Sequence, residues 1–352
     1  MHERTRMSRR RAGGRQRWTR PVAWSVVGLT AACAVGSGWQ TIAARRDELR
    51  FPPPGRMVDA DGVRMHLDVQ GDHHGKPTIV LDAGLGSFSP NWHWVQHALA
   101  HDLRVVAYDR AGLGWSEPSP APRDAGTMAA ELRTALHTAG ITGPYVLAGH
   151  SFGGLVIRAF ADLYRPETAG LVLVDASHPD QWARWPVPHA DRIQLISLRV
   201  MATAARVGLL RVLDLFGAVS AGLPDQQVAE LNARFALPRT LVTEAAQMQA
   251  WERSTRPLLD RAAPLGDLPL AVIGVGVQPL GATTLDALQM ELPGLSTNSA
   301  RRVIAAATHE SLIAERENAI QVANAIRAVV DAADGERVET TWAAREDREP
   351  VG

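Results

Sequence analysis

Residues 143–154 read GPYVLAGHSFGG, and they carry the clearest information about the fold class. The short apolar run from Tyr145 to Ala148 predicts a buried strand, and Leu155 to Tyr164 has the apolar spacing of a helix. Between them GHSFG, residues 149–153, matches the pattern G-x-S-x-G, in which two glycines allow a tight, strained turn with an exposed serine. The stretch therefore predicts that Ser151 lies on a strand-to-helix turn.

Other short apolar runs predict further strands of the same sheet. Val63 to Val69 alternates apolar and polar residues and indicates the second arm of a hairpin. The continuous runs are Thr78 to Leu81, Leu103 to Tyr108, Leu171 to Val174, Leu270 to Gly274 and Arg302 to Ala306. Helical stretches such as Met128 to Ala139 separate the earlier runs. Strands that are buried on both faces and separated by helices predict a mostly parallel sheet in an α/β fold.

The alternation of strands and helices stops between Val174 and Leu270, where the pattern is mostly helical. We therefore expect a core domain over residues 51–177 and 268–332, with a helical cap over residues 178–267 inserted across the sheet. Residues 333–352 are charged and are expected to form a loose, disordered tail.

The insertion contains a long apolar stretch, Ile193 to Phe216, with arginines at seven-residue spacing. These are Arg192, Arg199 and Arg206. One interpretation is a solvated helix face, and the other is a lid that lies on a membrane surface beside the N-terminal segment. The sequence leaves both open.

Composition excludes several classes of function. The formal net charge is zero, and Lys76 is the single lysine among 37 basic residues, so no strongly basic body exists to bind nucleic acid. Cys33 is the only cysteine, which excludes an internal disulfide framework and thiol chemistry in the body of the protein. Paired histidines such as His97 and His101 lack the glutamate of a zinc protease, so we expect neither a metal nor a cofactor.

The N-terminus predicts a membrane segment over residues 1–50. Residues 1–20 carry eight arginines and are followed by an uncharged run of 19 residues, Pro21 to Trp39. As a helix this run would be about 28 Å long, close to the thickness of a bilayer core. The excess of positive charge on its N-terminal side places the body outside the cytoplasm. Thr41-Ile42-Ala43 is also a passable cleavage site, so the alternative is a cleaved signal peptide and a secreted protein.

A serine nucleophile needs a histidine base, which the fold can bring from a distant part of the chain. His309 is the only histidine after the insertion. It lies between the last predicted strand and the predicted helix Glu310 to Val330, at the carboxyl end of that strand, and would therefore share an edge of the sheet with Ser151. His150 is interpreted as a neighbour of the serine and not as its base.

Several runs in this order resemble the α/β-hydrolase superfamily. They are LDAGLGSFSPNWHWV (81–95), YDRAGLGWSEP (108–118), GPYVLAGHSFGG, LVLVDASHPDQ (171–181) and His309. The chain is similar to serine hydrolases whose body follows a membrane-proximal PPPGR-type lead, here residues 52–56, and the resemblance covers Arg56 to about Val330. It implies a mostly parallel, eight-stranded α/β-hydrolase sheet with a helical cap.

The resemblance also implies roles for individual residues. Ser151 attacks a carbonyl, and His309 serves as base and then as acid. Two backbone N–H groups receive the oxyanion, that of Phe152 and one from the loop after the first parallel strand, for which we choose Leu85. Many members have His-Gly in that loop, where this chain has Ala83-Gly84, so any role of that histidine is missing here.

The acid of the triad is the weakest point of the resemblance. Its usual position follows the strand Leu270 to Gly274, where residues 275–279 read VGVQP and contain no carboxylate. Asp175, directly after another predicted strand, could accept a hydrogen bond from His309, or could instead bond the backbone of the turn that follows it. Asp180 and Asp286 remain alternatives, and Asp109 is expected to hold the turn at residues 110–112.

The expected function is hydrolysis of carboxylic esters through an acyl-enzyme, with an apolar or lipid-like acyl group under the cap. Amides and acyl transfer use the same serine motif and stay open. Because Ser151 stands at the turn instead of aspartate, the resemblance disfavours dehalogenase and epoxide hydrolase mechanisms. A catalytically silent module that binds a ligand or partner at the membrane is the alternative, and the oligomeric state is left open.

Overall fold

The chain folds around a twisted sheet, as a computed structural model describes it over residues 16–213, 217–260, 265–277 and 282–346. The sheet in these ranges has eight strands: β1 Arg56–Ala60, β2 Val63–Gln70, β3 Thr78–Asp82, β4 Val105–Tyr108, β5 Tyr145–His150, β6 Thr168–Val174, β7 Leu270–Val275 and β8 Ser299–Ile304. Their spatial order is β1-β2-β4-β3-β5-β6-β7-β8. β2 is antiparallel to β1 and β4, and the other neighbours are parallel. The predicted fold class is confirmed.

The position of β8 differs from the prediction. The strand begins at Ser299 instead of Arg302 and pairs with β7 from Leu270↔Ser299 to Val275↔Ile304. Its first five residues are at most partly buried because β8 is an edge strand. Apolar spacing therefore carries little information there, and the apolar run in the sequence begins after the strand does.

Helices cover both faces of the sheet. They are α2 His93–Leu99, α3 Ala125–Thr138, α4 Gly153–Leu163, α11 Ala282–Glu291, α12 Ser311–Ala314, α13 Arg316–Ala332 and α14 Val338–Glu346. α3 and α4 bury their apolar residues on one face, and α2, α13 and α14 bury theirs on the other. The single helix predicted from Glu310 to Val330 is interrupted, because Glu315 has extended backbone angles between α12 and α13.

The prediction of a loose tail is wrong over α14. Val338 and Trp342 are buried and pack against α13 and the sheet, and Thr341 Oγ1 donates to the Ala328 carbonyl at 3.1 Å. Two apolar residues one helical turn apart are enough to dock a helix that also carries three charged residues. Composition alone could not reveal this. Residues 347–352 of the predicted tail lie outside the described residues.

The described part of the insertion between β6 and β7 is helical. Its α-helices are α5 Gln181–Arg184, α6 Ala190–Arg206, α7 Gly217–Ser220, α8 Asp225–Phe235, α9 Pro238–Gln249 and α10 Trp251–Asp260. α6 packs on α9 through its own small core, which includes Leu198, Ala202 and Met248. α6 ends at Arg206, within the apolar stretch predicted from Ile193 to Phe216, since Gly208 has φ +75 and ends the helix. Residues 214–216 lie outside the described residues.

The N-terminal helix α1 spans Gln16–Arg50. Its stretch Trp24–Arg50 is long and apolar enough to cross a membrane by length and composition, with a mean hydropathy of 1.3 in its most apolar window. A signal sequence would pass the same test. Residues 1–15 of the predicted N-terminal segment lie outside the described residues.

Candidate active site

Ser151 lies on the turn between β5 and α4. Its φ is +54, a left-handed conformation that is strained for a residue with a side chain. An added Cβ on Gly149 would lie 2.6 Å from the backbone carbon of Gly153, and one on Gly153 would lie 2.4 Å from the Asp82 carbonyl oxygen. Both positions therefore require glycine. The Ser151 N–H donates to the Val174 carbonyl at 3.0 Å and ties the turn to the end of β6.

His309 and Asp175 meet beside this turn. Asp175 directly follows β6, and its Oδ2 is 2.6 Å from Nδ1 of His309, in the loop after β8. Burial alone lowers the pKa of His309, but the hydrogen bond and negative charge of Asp175 outweigh it and raise the pKa above the ordinary value. The arrangement holds the imidazole with its proton on Nδ1 and leaves Nε2 free to accept one.

Ser151 and His309 line the same cavity, together with Asp175. Within the described residues, no hydrogen bond joins the Ser151 hydroxyl to the His309 ring. Such bonds are often long in unliganded active sites and tighten when substrate binds. The structure thus brings the three predicted residues to one edge of the sheet without closing the contact between hydroxyl and imidazole.

His150 supports the loop that carries His309. Its Nε2 donates to the His309 carbonyl oxygen at 2.9 Å. Burial lowers the pKa of His150 well below its usual value, and the neighbouring His309 lowers it further. His150 is therefore a neutral positioning residue, in agreement with its interpretation from the sequence.

The other candidate acids lie elsewhere. Asp286 is more than half exposed and is 3.6 Å from Arg301, and Asp180 lines a different cavity, under the cap. Asp109 accepts hydrogen bonds from the backbone of Ser89 and Trp115 and from His66, and so holds the turn that follows β4. Of the four carboxylates considered, Asp175 is the one in contact with His309.

The loop after β3 lies directly against Ser151. An added Cβ on Gly84 would lie 3.3 Å from the Ser151 Cβ, which places the Gly84-Leu85 peptide beside the serine. Phe152 begins the turn into α4 on the other side. Within the described part of the chain, neither the Leu85 N–H nor the Phe152 N–H donates a hydrogen bond to a protein atom. Two unpaired donors beside a serine hydroxyl are the elements of an oxyanion hole.

Arg110 holds this loop, a role that the sequence did not reveal. Its buried guanidinium pairs with Asp82, donates to the Ala83 carbonyl at 2.5 Å and also donates to the Gly84 carbonyl. Its Cζ lies 5.5 Å from the centre of the Phe152 ring. One side chain therefore contacts both the peptide group that carries the Leu85 N–H and the ring of Phe152. The only available signal was an arginine two residues after a buried strand.

Glu244 reaches the same loop from α9 of the cap. An added Cβ on Gly86 would lie 2.6 Å from Glu244 Oε2, and the glycine has φ +70. Burial raises the pKa of Glu244 to about 7, although the charge of Arg110 opposes the shift. The carboxyl group therefore changes its charge near neutral pH. It lies beside Gly86, the residue that follows Leu85. Helical spacing in the cap gave no indication of this contact.

The cavity that contains Ser151 has a volume of about 450 Å³. Its lining comprises Ser151, Asp175, Ala176, Ser177, Gln181, Val277, Leu285, Gln289, Thr308, His309 and Glu310. Eight of these eleven residues are polar by type, but the surface that they expose to the cavity is mainly apolar. Among the described residues no three His, Cys, Asp or Glu side chains are grouped so as to hold a metal ion.

Comparison with known proteins gives the family of this fold. A model of the Alpha/beta hydrolase family matches residues 79–337. The crystal structure of Cfl2 from Burkholderia cenocepacia has a TM-score of 0.63 at 25% identity, covering 78% of this chain and 95% of that one. A thermophilic esterase from Thermogutta terrifontis has a TM-score of 0.60 at 23% identity, covering 78% and 98%, a likeness of fold alone.

Sequence relatives match over shorter stretches. The "Putative carbamate hydrolase RutD" of Klebsiella pneumoniae (strain 342) is 39% identical over 129 residues, which are 36% of this chain and 46% of that protein. The chain spans between 28% and 47% of the length of eight curated relatives that it matches. The activities of those whole proteins therefore do not transfer directly.

Proposed function

Because this chain belongs to the alpha/beta hydrolase family, we propose that it is a serine hydrolase that cleaves carboxylic esters through an acyl-enzyme on Ser151. The observation that carries the proposal is the 2.6 Å contact between Asp175 and His309 beside the strained turn of Ser151. Strain of this kind costs about 1–3 kcal/mol and persists where the surrounding structure enforces it, as at a reactive serine.

In the proposed reaction the Ser151 oxygen attacks the ester carbonyl while Nε2 of His309 takes its proton. The Asp175 carboxylate stabilises the imidazolium that forms. The N–H groups of Leu85 and Phe152 bind the oxyanion, and His309 then gives its proton to the leaving alcohol. Water, deprotonated by the same imidazole, releases the acid and restores Ser151.

The mixed lining of the cavity, mainly apolar in surface but with several polar groups, bears on the substrate. Gln181, Gln289 and Glu310 offer hydrogen-bonding groups, so the substrate is proposed to carry polar groups beside its ester and not only an apolar acyl chain. Amides and carbamates have the same carbonyl geometry, and one relative is named for carbamate hydrolysis. Comparing p-nitrophenyl propionate with p-nitrophenyl N-methylcarbamate separates these classes, since the acyl parts differ only by CH₂ against NH.

A catalytically silent binding module is the second candidate. It is favoured by the absence, within the described residues, of a hydrogen bond between the Ser151 hydroxyl and His309. A fluorophosphonate probe separates the two candidates, because only an activated serine reacts with it. We expect stoichiometric labelling that is lost in Ser151→Ala and kept in Ser177→Ala, a second serine of the same cavity. Absence of labelling in the wild-type protein would support the binding module.

We also propose that α1 is an uncleaved anchor and that the hydrolase domain lies outside the cytoplasm. In support, Gln40 is buried and donates to the Ala236 carbonyl of the cap at 3.0 Å. Cleavage after Ala43 would remove this contact. The mass of the protein purified from membranes tests the point: a chain that retains residues 1–43 supports the anchor, and a shorter one supports a signal peptide.

A further inference from the structure

The C-terminal part of α1 packs against the cap. An added Cβ on Gly36 would lie 2.5 Å from the Val207 carbonyl oxygen, just past the end of α6. Further along, Arg211 donates to Gln40 Oε1 at 2.7 Å and to Asp47 Oδ2 at 2.5 Å. These contacts set the direction of α1 relative to the cap.

The part of α1 that precedes these contacts is apolar and unpacked. All residues from Trp24 to Val35 are exposed, and no charge occurs in α1 between Arg20 and Arg45. Such a stretch is stable in hydrocarbon, where a helix satisfies its own backbone hydrogen bonds. The edge of the hydrocarbon core would then fall between Gly36 and Trp39, which lie against Val207 and Gly208 just past the end of α6.

The exposed face of α6, whose C-terminal end lies at this level, is apolar. Ile193, Ile196 and Val200 follow one stripe of α6 and are 57%, 60% and 63% exposed. Beyond the helix end come three more apolar residues that are 44% to 70% exposed: Leu209, Val212 and Leu213. We call these six residues the outer cap surface. The opposite face of α6 packs on α9, so the helix is amphipathic in its place in the fold.

Basic residues accompany the outer cap surface. Arg192, Arg199 and Arg206 of α6 are exposed, and Asp191 is the only acidic residue of the helix. Arg199 also donates to Gln249 at 3.1 Å. A helix with an apolar stripe and a net positive charge is typical of helices that lie in the headgroup region of anionic membranes.

We propose that the outer cap surface lies in the headgroup region of the bilayer that α1 enters, with the arginines of α6 binding anionic phospholipid. The lipid surface is the occupant that fits, because the covalent connection through α1 holds this face at membrane level and the charges have the complementary sign. An apolar surface of this kind facing water would be a site of aggregation. The inference rests on the proposed anchoring by α1 and is independent of catalysis by Ser151.

The test measures the depth of single labels in the full chain. The native cysteine is removed by Cys33→Ala, and a bimane fluorophore is attached at Val200→Cys in vesicles of phosphatidylethanolamine and phosphatidylglycerol that contain a doxyl-lipid quencher. Val303→Cys is the matched control, since Val303 is 45% exposed but belongs to the edge strand β8. We expect about threefold stronger quenching at position 200 than at 303.

Further measurements distinguish a lipid surface from a second copy of the chain as the partner of the outer cap surface. Replacing the three arginines, Arg192, Arg199 and Arg206, by glutamine should reduce quenching at position 200 in phosphatidylglycerol vesicles and have little effect in phosphatidylcholine vesicles. Equal quenching at positions 200 and 303 overturns the proposal. Shielding of the Val200 label without lipid quenching, together with cross-linking between labelled chains, would assign this face to a second copy instead. Fluorophosphonate labelling in the same vesicles reports on Ser151 separately.

Discussion

The guanidinium of Arg110 donates to the carbonyl oxygen of Gly84, and the N–H of the same peptide unit belongs to Leu85. In a planar trans peptide the C=O and the following N–H point in opposite directions. Fixing the direction of the carbonyl group therefore also fixes the direction of the N–H group. A hydrogen bond to the carbonyl oxygen also polarises the N–H group and makes it a stronger donor. Arg110 thereby couples the buried charge of Asp82 to the direction of one proposed oxyanion donor.

We expect Arg110→Lys to lower kcat about 10- to 100-fold with little change in KM, because the oxyanion exists only in the transition state. Lysine keeps the charge near Asp82 but cannot bond both loop carbonyls. Esterase kinetics on purified variants measure the effect. Arg123→Lys is the control, since Arg123 is an equally buried arginine that pairs with Glu131 in a different network. Equal losses in both variants would assign Arg110 a purely structural role.

Asp175→Asn should lower kcat about 10³- to 10⁴-fold, because the amide cannot stabilise the imidazolium of His309. Asp180→Asn is the matched control, as this carboxylate does not contact His309. Initial rates with a p-nitrophenyl ester measure both. A near-normal rate in Asp175→Asn would indicate that Asp286 or another group is the acid of the triad.

The pH profile tests the same pair independently. Neutral His309 is the base, and Asp175 raises its pKa above the ordinary value, so kcat/KM should rise with pH through an inflection above about 6.5. In Asp175→Asn burial would still lower the pKa of the ring, and only the charge of Glu310 would oppose it. The inflection should therefore move to lower pH while the plateau falls. An unchanged inflection would show that Asp175 does not act on His309.

Glu244→Gln should stabilise the protein at alkaline pH. The pKa of Glu244 is raised by burial to about 7 from a value of 4.5, so the native state holds a proton that the unfolded state releases. The stability from this group is fully present below pH 4.5 and is lost as the pH rises through 7. Above pH 7 the variant should gain up to about 3 kcal/mol, with little change at pH 4.5.

Thermal unfolding in detergent at pH 4.5 and pH 8.5 measures this difference. Glu252→Gln serves as control, because Glu252 lies on the next helix of the cap and its side chain is 87% exposed. If Glu244→Gln raises the free energy of unfolding equally at both pH values, ionisation of the Glu244 carboxyl group is not the cause of the stabilisation.

Trp342→Ala should destabilise the protein by about 3 kcal/mol, because Trp342 is 4% exposed and packs α14 on the rest of the core. Urea unfolding followed by circular dichroism measures the loss. Leu259→Ala, at a residue that is 41% exposed, should cost much less. If Trp342→Ala costs no more than this control, α14 is not part of the cooperative core.

The sequence by local pattern predicted those strands and turns that depend on residues a few positions apart. The buried runs gave the strands, and the glycines around Ser151 gave the turn, since both depend on neighbours within a few residues. Position after a strand placed His309 at the correct edge of the sheet. The edge strand β8 and the helix α14 were misjudged because few of their residues are buried, so their apolar pattern is weak.

Contacts between distant residues were decided only by the tertiary structure. Asp175 and His309 are 134 positions apart, and the sequence favoured Asp175 as the acid but left Asp180 and Asp286 as alternatives. Three other contacts likewise join separate elements. Arg110 binds the loop after β3, Glu244 approaches Gly86, and α1 packs on the cap. Each depends on how whole strands and helices pack, which fixes side-chain distances that no local pattern encodes.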